Sequence, residues 1–169
     1  MNMTFAKFPK NLGALALASS LTVCSLAALA QTAAVKVEGA WARATVQGQM
    51  GTGAFMTLTA KDATRLVGVT SPVAGVVEVH EMKMEGDVMK MRAMPVVDLP
   101  AGKKVDFKPG GYHVMLMDLK APLALGGTVP VTLLFKDAKG VQSKLELKLP
   151  VSAAAPGTLA SEPAAAHKH

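Results

Sequence analysis

The sequence predicts an all-β protein whose folded part is an antiparallel β-sandwich. Between residues 35 and 149, apolar and polar side chains alternate with a period of two rather than 3.6. Glycine, proline and aspartate break this pattern into short runs, and neither an internal repeat nor a long amphipathic helical pattern interrupts it. Many short strands at this spacing are typical of two packed antiparallel sheets.

The first 30 residues have the composition of a secretory signal peptide. Lys7 and Lys10 precede an apolar run that ends in Ala28-Leu29-Ala30, and the segment contains no acidic residue. Serine and threonine interrupt the run and no second apolar segment follows, so we expect no stable membrane insertion after cleavage. The sequence therefore predicts export to the periplasm.

The only cysteine, Cys24, lies within this leader, so the mature chain would contain neither a thiol nor a disulfide. Lipidation of Cys24 is the alternative, but Val23 puts a β-branched side chain where a small one is expected. Exposed thiols are oxidised outside the cytoplasm, so a thiol-free chain suits export.

Residues 31–151 are predicted to form one domain of about 120 residues. Turn signals such as Glu85-Gly86-Asp87 and Pro109-Gly110-Gly111 separate the strands. The predicted strands are, in order, residues 35–38, 40–45, 53–59, 64–71, 76–84, 87–94, 104–107, 112–119, 128–135 and 142–149.

Residues 152–169 are predicted to be a disordered tail that ends in His167-Lys168-His169. Alanine, proline, serine and glycine dominate this segment, which has too few large apolar groups to offset the entropy of ordering it.

The charge pattern argues against a nucleic-acid partner. The formal net charge of +6 would fall to +4 on cleavage, because the leader contains two lysines and no acidic residue. The remaining charges are interspersed, and only one tryptophan and one tyrosine are present to stack on bases.

Two histidines and two methionines form the most informative spacing in the chain. Ten residues separate His80 from Met91, twenty-one separate Met91 from His113, and Met115 follows one residue later. Imidazole nitrogen together with thioether sulfur is a soft, uncharged ligand set that suits cuprous copper and not magnesium or calcium. The spacing therefore predicts a copper site.

The strand pattern predicts that these side chains converge. Alternation places His113 and Met115 on the same face of one strand. The turn signal at residues 85–87 joins two predicted strands into a hairpin, which lets His80 and Met91 approach each other. We expect the site to lie near a sheet end, where a partner could reach it.

Together with this spacing, three segments resemble the periplasmic copper chaperone family PCu(A)C: GAWARA at 39–44, LVGVTSPVA at 66–74 and PGGYHVML at 109–116. The resemblance covers residues 35 to 150 and implies a cupredoxin-like Greek-key sandwich. It also implies one Cu(I) ion bound by His80, Met91, His113 and Met115. The family sometimes has methionine directly after the first histidine, where this chain has Glu81.

Further ligands are candidates with a structural alternative. Met82, Met89 and Met117 share faces with the proposed ligands and would either shield or hand over the ion, or simply pack as flexible apolar side chains. His167 and His169 would either capture Cu(II) or remain exposed to solvent. Trp41 and Arg43 are interpreted as a core aromatic and a strand-edge cation.

The sequence favours a copper carrier that is not an enzyme. It has no thiol nucleophile, no serine elbow and no dense carboxylate cluster in the predicted domain. The family resemblance implies that a monomer delivers Cu(I) to the copper centre of a haem-copper oxidase, directly or with a Sco-type assembly protein. The alternatives are a copper-buffering protein for tolerance, without a dedicated acceptor, and a structural or adhesion sandwich whose methionines only pack.

Overall fold

The computed structural model describes residues 31–156, and the predicted leader and most of the predicted tail lie outside the described residues. Within that range every regular element is a β-strand, which confirms the predicted all-β class. None of the described residues forms a helix long and apolar enough to cross a membrane. The strands are β1 (Gln31–Thr32), β2 (Val35–Arg43), β3 (Gly51–Ala60), β4 (Thr64–Thr70), β5 (Ala74–Glu85), β6 (Val88–Ala93), β7 (Val97–Leu99), β8 (Lys104–Phe107), β9 (Tyr112–Leu119), β10 (Thr128–Asp137) and β11 (Gln142–Ser152).

The strands form two halves that share β11. In hydrogen-bonded order they run β6-β5-β9-β8-β3-β2-β11-β10-β4-β7, with β1 beside β11 and a further pairing of β9 with β3. We call the half from β6 to β2 the β5–β9 sheet and the half from β11 to β7 the β4–β10 sheet. Strand β11 pairs with β10 along its length and reaches β2 at its end, where Val151 lies opposite Ala42.

The apolar core lies between these two sheets. Alternate residues of each strand point inward, as the period of two in the sequence requires. The β5–β9 sheet contributes Leu58, Val114 and Leu116, and the β4–β10 sheet contributes Leu66, Leu133 and Phe135, all of them at most 1% exposed. The predicted sandwich is therefore confirmed.

Several strand ends differ from the sequence prediction by one to three residues, and the larger differences are two predicted strands that are one and two short strands, β1 and β7, that were not predicted. The predicted strands 35–38 and 40–45 are one strand, β2, whose register with β3 shifts between Glu38 and Trp41. Gly39 has a φ of 58° at this irregularity, which a glycine adopts without strain. Strand β7 was not predicted, because its three residues after Pro95 are too few to show a period.

The predicted hairpin of β5 and β6 is confirmed, and it extends beyond the core. Glu85 pairs with Val88 across a turn in which Gly86 has a φ of 63°. On the inward face of β5, the buried Val79 is followed by Glu81, Lys83 and Glu85. This face changes from apolar to charged, and every residue of β6 is exposed. Both observations indicate that the hairpin extends past the edge of the sandwich.

Candidate metal centre

The two histidines of the domain lie directly opposite each other on neighbouring antiparallel strands. His80 on β5 pairs with His113 on β9, and their ring centroids are 5.9 Å apart at an interplanar angle of 65°. Val79, which precedes His80, pairs with Val114, which follows His113, and both valines are buried in the core. Alternation therefore puts both imidazoles on the outer face of the β5–β9 sheet.

His113 is buried, with 5% of its surface exposed, although it lies on the outer face. Its Nδ1 lies 3.0 Å from the carbonyl oxygen of Gly111. A carbonyl only accepts, so Nδ1 donates and Nε2 carries the free lone pair of the neutral ring. The same carbonyl accepts the backbone N–H of Met82 at 3.1 Å, which ties β5 to the loop that orients the imidazole.

His80 is held by a carboxylate through its other ring nitrogen. Its Nε2 lies 2.9 Å from Oε2 of Glu78, which is two residues earlier on the same face of β5. Its Nδ1 is buried and has no hydrogen-bond partner among the described residues. Because an ionised carboxylate only accepts, Nε2 carries the proton, and in the neutral ring Nδ1 carries the lone pair. A bound cation would satisfy this orphaned nitrogen.

Met115 and Met91, the two predicted methionine ligands, lie on the same sheet face as the histidines but on different strands, β9 and β6 respectively. Met115 is two residues beyond His113 and pairs with Glu78 on one side and Gly53 on the other. Met91 pairs with Met82, while His80 pairs with Ala93, so Met91 is the diagonal neighbour of His80. Diagonal neighbours are within reach of long side chains. Strands β5, β6 and β9 thus bring the four predicted ligands to one face.

A small cavity of about 180 Å³ opens beside His113. Met82 and Met115 form part of its wall, together with Phe55 and Arg43. The guanidinium carbon of Arg43 lies 5.6 Å from the centre of the Phe55 ring, within the range of a cation–π contact. Arg43 therefore belongs to the surroundings of the site, which its interpretation as a strand-edge cation did not predict.

Two glycines of β3 lie beside the site, and only one of them makes room for a neighbouring group. A Cβ at Gly53 would lie 2.7 Å from Cζ of Phe55, so the phenyl ring occupies the space that a side chain would need. A Cβ at Gly51 would meet Cε of Met115 only at 3.9 Å. The Phe55 ring in turn lies 6.5 Å from the His113 ring and 4.8 Å from Trp41.

Sequence reasoning assigned no role to the groups that hold the ligands. The spacing of two predicts Glu78 on the same strand face as His80, but not that its carboxylate bonds to the ring. The carbonyl of Gly111 and the ring of Phe55 carry no sequence signal, since their contacts with His113 depend on the path of a loop and on packing between strands.

The accessory candidates are not equivalent in position. Met82 lines the cavity beside His113, whereas Met89 pairs with Met84 near the hairpin turn. Met117 is the next residue after Met115 on the same face of β9. It is half-buried and pairs with Val76 and Gly51. His167 and His169 lie outside the described residues.

The inner face of the same strand pair carries a tyrosine with a shifted pKa. Tyr112 lies opposite Glu81, and burial raises the pKa of its phenol above the ordinary value of 10.0. The negative charge of Glu81 and a hydrogen bond to it raise this pKa further. This pair is separated from the ligands by the backbone of the sheet.

The donor set decides which metal the arrangement suits. Within the described residues, no group of three or more His, Cys, Asp or Glu side chains could hold a metal ion. Thioether sulfurs of Met115 and Met91 lie on the same sheet face as His80 and His113 and are available as further donors. Thioethers are soft neutral donors, which disfavours magnesium and calcium and favours cuprous copper.

Residues 35–151 match the sequence family described as "Putative lipoprotein LpqE-like". The protein "Putative lipoprotein Lxx21020" of Leifsonia xyli subsp. xyli (strain CTCB07) is 35% identical over 108 residues, which are 63% of this chain and 65% of that protein. The chain spans less than two thirds of the length of the relatives it matches, 65% and 61% for two of them.

Solved structures similar to this chain include copper-bound PCuAC-type domains. The "Copper-bound PCuAC domain from PmoF2" is 26% identical with a TM-score of 0.57, and the match covers 73% of this chain and 96% of that one. The Cu(I) form of DR1885 from Deinococcus radiodurans is 30% identical with a TM-score of 0.55, over 75% and 82% of the two chains. These likenesses confirm the predicted cupredoxin-like sandwich.

Proposed function

The chain belongs to the LpqE-like, PCuAC-type family, as its resemblance to copper chaperones predicted, and from this premise we propose that it is a periplasmic Cu(I) chaperone. Its cargo is one cuprous ion held by His80, Met91, His113 and Met115. Its acceptor is the copper centre of a haem-copper oxidase, reached directly or through a Sco-type assembly protein. The leader-like composition of residues 1–30 and the lipoprotein names of relatives support a location outside the cytoplasm.

The observation that carries the proposal is the complementary orientation of the two imidazoles. Glu78 occupies Nε2 of His80 and the Gly111 carbonyl occupies Nδ1 of His113, which leaves one lone pair on each of two facing rings. Hydrogen bonds of this kind fix the tautomer and orientation of metal-binding histidines. The protein thus holds two nitrogen donors ready beside the thioether of Met115.

The charge of the donor set favours Cu(I) over Cu(II). All four proposed ligands are neutral when they bind, so the complex keeps the full charge of the ion. The chain has one cysteine, Cys24, within the leader-like segment, so the blue-copper arrangement of two histidines, a thiolate and an axial methionine cannot form in the domain. These properties fit a carrier of Cu(I) better than an electron-transfer protein.

Unequal burial of the ligands suggests how the ion leaves. Met91 is 51% exposed on the hairpin, whereas His113 is 5% exposed. An acceptor would therefore displace Met91 first and the imidazole of His113 last. Thiolates of the acceptor bind copper more strongly than thioethers, so exchange of one ligand at a time would proceed toward the acceptor.

Transfer is tested with the Cu(I)-loaded protein under anaerobic conditions. We would mix it with a purified oxidase copper domain, with and without a Sco-type protein, and measure copper in each protein after separation. Transfer faster than release to a small chelator of equal strength supports delivery. Transfer no faster than that release would leave the copper-buffering alternative, in which no dedicated acceptor exists.

Met91→Leu is the variant that tests the order of exchange. Leucine keeps the volume of the side chain and removes its sulfur, so Cu(I) should bind more weakly and leave faster. Met50→Leu is the matched control, because Met50 is similarly exposed and lies in the turn before β3 instead of the hairpin. Equal release rates in the two variants would remove Met91 from the ligand set.

The tail forms a separate part of the proposal. His167 and His169 would bind Cu(II) as a second site. Replacement of both by alanine in the full chain should abolish Cu(II) binding and leave the Cu(I) equivalent of the domain intact. Loss of the Cu(I) equivalent in that variant would move the proposed site to the tail.

A further inference from the structure

The two faces of the β5–β6 hairpin differ in chemistry. The inner face carries ion pairs: Lys90 to Glu85 at 2.7 Å, Arg92 to Glu85 at 3.0 Å and Arg92 to Glu81 at 3.7 Å. The outer face carries two directly opposed methionine pairs. We call these four residues the methionine ladder: Met82 opposite Met91, and Met84 opposite Met89.

Three of the four ladder side chains, those of Met84, Met89 and Met91, are exposed although they are apolar. Met84 is 53% exposed and Met89 is 49% exposed, and the hairpin projects beyond the core that could have covered them. Apolar side chains stabilise a fold in proportion to the area they remove from water, so these two contribute little by burial. What distinguishes them chemically from other exposed apolar side chains is their soft thioether sulfur, which can bind a soft metal ion.

The ladder is continuous with the proposed copper site. Met82 lines the cavity beside His113 and Met115, and His80 is the next residue on the same face of β5. Directly opposed side chains have Cβ atoms about 5 Å apart, and successive pairs on one face are about 7 Å apart. Flexible methionine side chains can bridge both separations.

We propose that Met84 and Met89 form a second, weaker Cu(I) site through which the ion enters and leaves the histidine site. This inference rests on the proposed function and concerns the route of the same cargo. Cu(I) binds first between Met84 and Met89, passes to Met82 and Met91, and then reaches His80 and His113. Each step forms one copper–ligand bond and breaks another, the ion stays cuprous, and the thioethers exchange no proton.

The test compares Met84→Leu/Met89→Leu with the Met50→Leu control in the full chain. Leucine preserves volume and apolarity, and both variants are checked by thermal unfolding. Methionine methyl groups labelled with ¹³C are followed by NMR during an anaerobic titration with Cu(I) alone. We expect the Met84 and Met89 methyl signals to shift in a second phase, after the first equivalent has bound.

The rate of capture is the second readout. The affinity for the first equivalent should be unchanged in Met84→Leu/Met89→Leu, while capture of Cu(I) from a small chelator and its return should both slow several-fold. The control should match the parent protein. These results would support an uptake and release site outside the tight site.

Three outcomes overturn the inference. Unshifted Met84 and Met89 signals with an unchanged capture rate would leave the ladder without a role in copper movement. Unchanged exchange with a small chelator, but slower transfer to an acceptor protein, would make the ladder a protein-docking face. Loss of the first equivalent in the Met84→Leu/Met89→Leu variant would place the two residues in the tight site itself. Absence of tight Cu(I) binding in the parent protein is a different result, which refutes the proposed function.

Discussion

His80 and His113 face each other across β5 and β9 and use opposite ring nitrogens to contact the protein. Nε2 of His80 is held by the Glu78 carboxylate, and Nδ1 of His113 donates to the Gly111 carbonyl. The lone pairs that remain are on Nδ1 of His80 and Nε2 of His113. The protein therefore defines two different tautomers before any ion binds, which reduces the reorganisation that binding requires.

The tautomers themselves can be measured. In the metal-free protein at a pH where both imidazoles are neutral, ¹⁵N NMR should show an Nε2–H ring for His80 and an Nδ1–H ring for His113. Addition of Cu(I) should shift Nδ1 of His80 and Nε2 of His113 most. Two identical tautomers would contradict the hydrogen bonding that the structure shows.

Glu78→Gln should weaken Cu(I) binding without removing a ligand. The carboxylate accepts the Nε2 proton of His80, the neutral amide oxygen of glutamine is a weaker acceptor, and mutation of such a partner typically reduces metal affinity by about 10–100-fold. Affinity is measured by anaerobic competition with a chromophoric chelator. Glu81→Gln is the matched control, because it removes the same charge from the opposite face of β5. Equal losses in the two variants would reduce the role of Glu78 to its charge alone.

Gly53→Ala should disturb the site through Phe55. The added Cβ would lie 2.7 Å from Cζ of Phe55, and this ring packs beside His113, so the ring must move. Overpacking of this kind costs about 1–3 kcal/mol, which urea unfolding would detect. Cu(I) affinity should fall as well.

Gly51→Ala is the control for this substitution on the same strand. Its new Cβ would meet the nearest atoms at 3.5 Å and 3.9 Å, which are ordinary contact distances. We expect a change in unfolding free energy well below that of Gly53→Ala. A larger loss in Gly51→Ala would show that the space at Gly53 is not what positions the ring.

Tyr112→Phe should make the protein less sensitive to alkaline pH. Burial and the neighbouring Glu81 raise the pKa of Tyr112 above 10.0 in the folded state, so the folded protein holds this proton more tightly than the unfolded chain. The resulting stabilisation is fully present below about pH 10 and is lost as pH rises through the folded-state value. The chain has one tyrosine, so the difference between parent and variant in urea midpoints from pH 9 upward reports this group. Parallel pH profiles would contradict the assignment.

The architecture was predictable from the sequence because strands alternate with a period of two wherever one face is buried. Strands β8 (Lys104–Phe107) and β9 (Tyr112–Leu119) match their predicted bounds, and the pairing of β5 with β6 follows from the turn around Gly86. Strand β7 escaped prediction because it has only three residues. The continuity of β2 also escaped it, because Gly39 lies at a register shift within the strand and not at a turn.

The site was predictable only as a set of residues on one face. The spacing placed His113 beside Met115 and led to the hairpin that brings Met91 near His80. It could not reveal that the Gly111 carbonyl orients His113, because that contact depends on a turn after Pro109. Nor could it place Arg43 in the cavity wall, since no spacing in the sequence indicates that Arg43 of β2 packs against the ring of Phe55 on β3.

The central claim is that the folded domain binds Cu(I) through His113 and Met115 with their partners on β5 and β6. Its most direct test is an anaerobic Cu(I) titration of the protein against a chromophoric chelator, beside His113→Ala/Met115→Ala and His167→Ala/His169→Ala variants whose folding is checked by thermal unfolding. We predict one tight equivalent that persists without the tail histidines and disappears in the folded His113→Ala/Met115→Ala variant. Tight binding that survives in that variant, or no tight binding in the parent protein, would contradict the account.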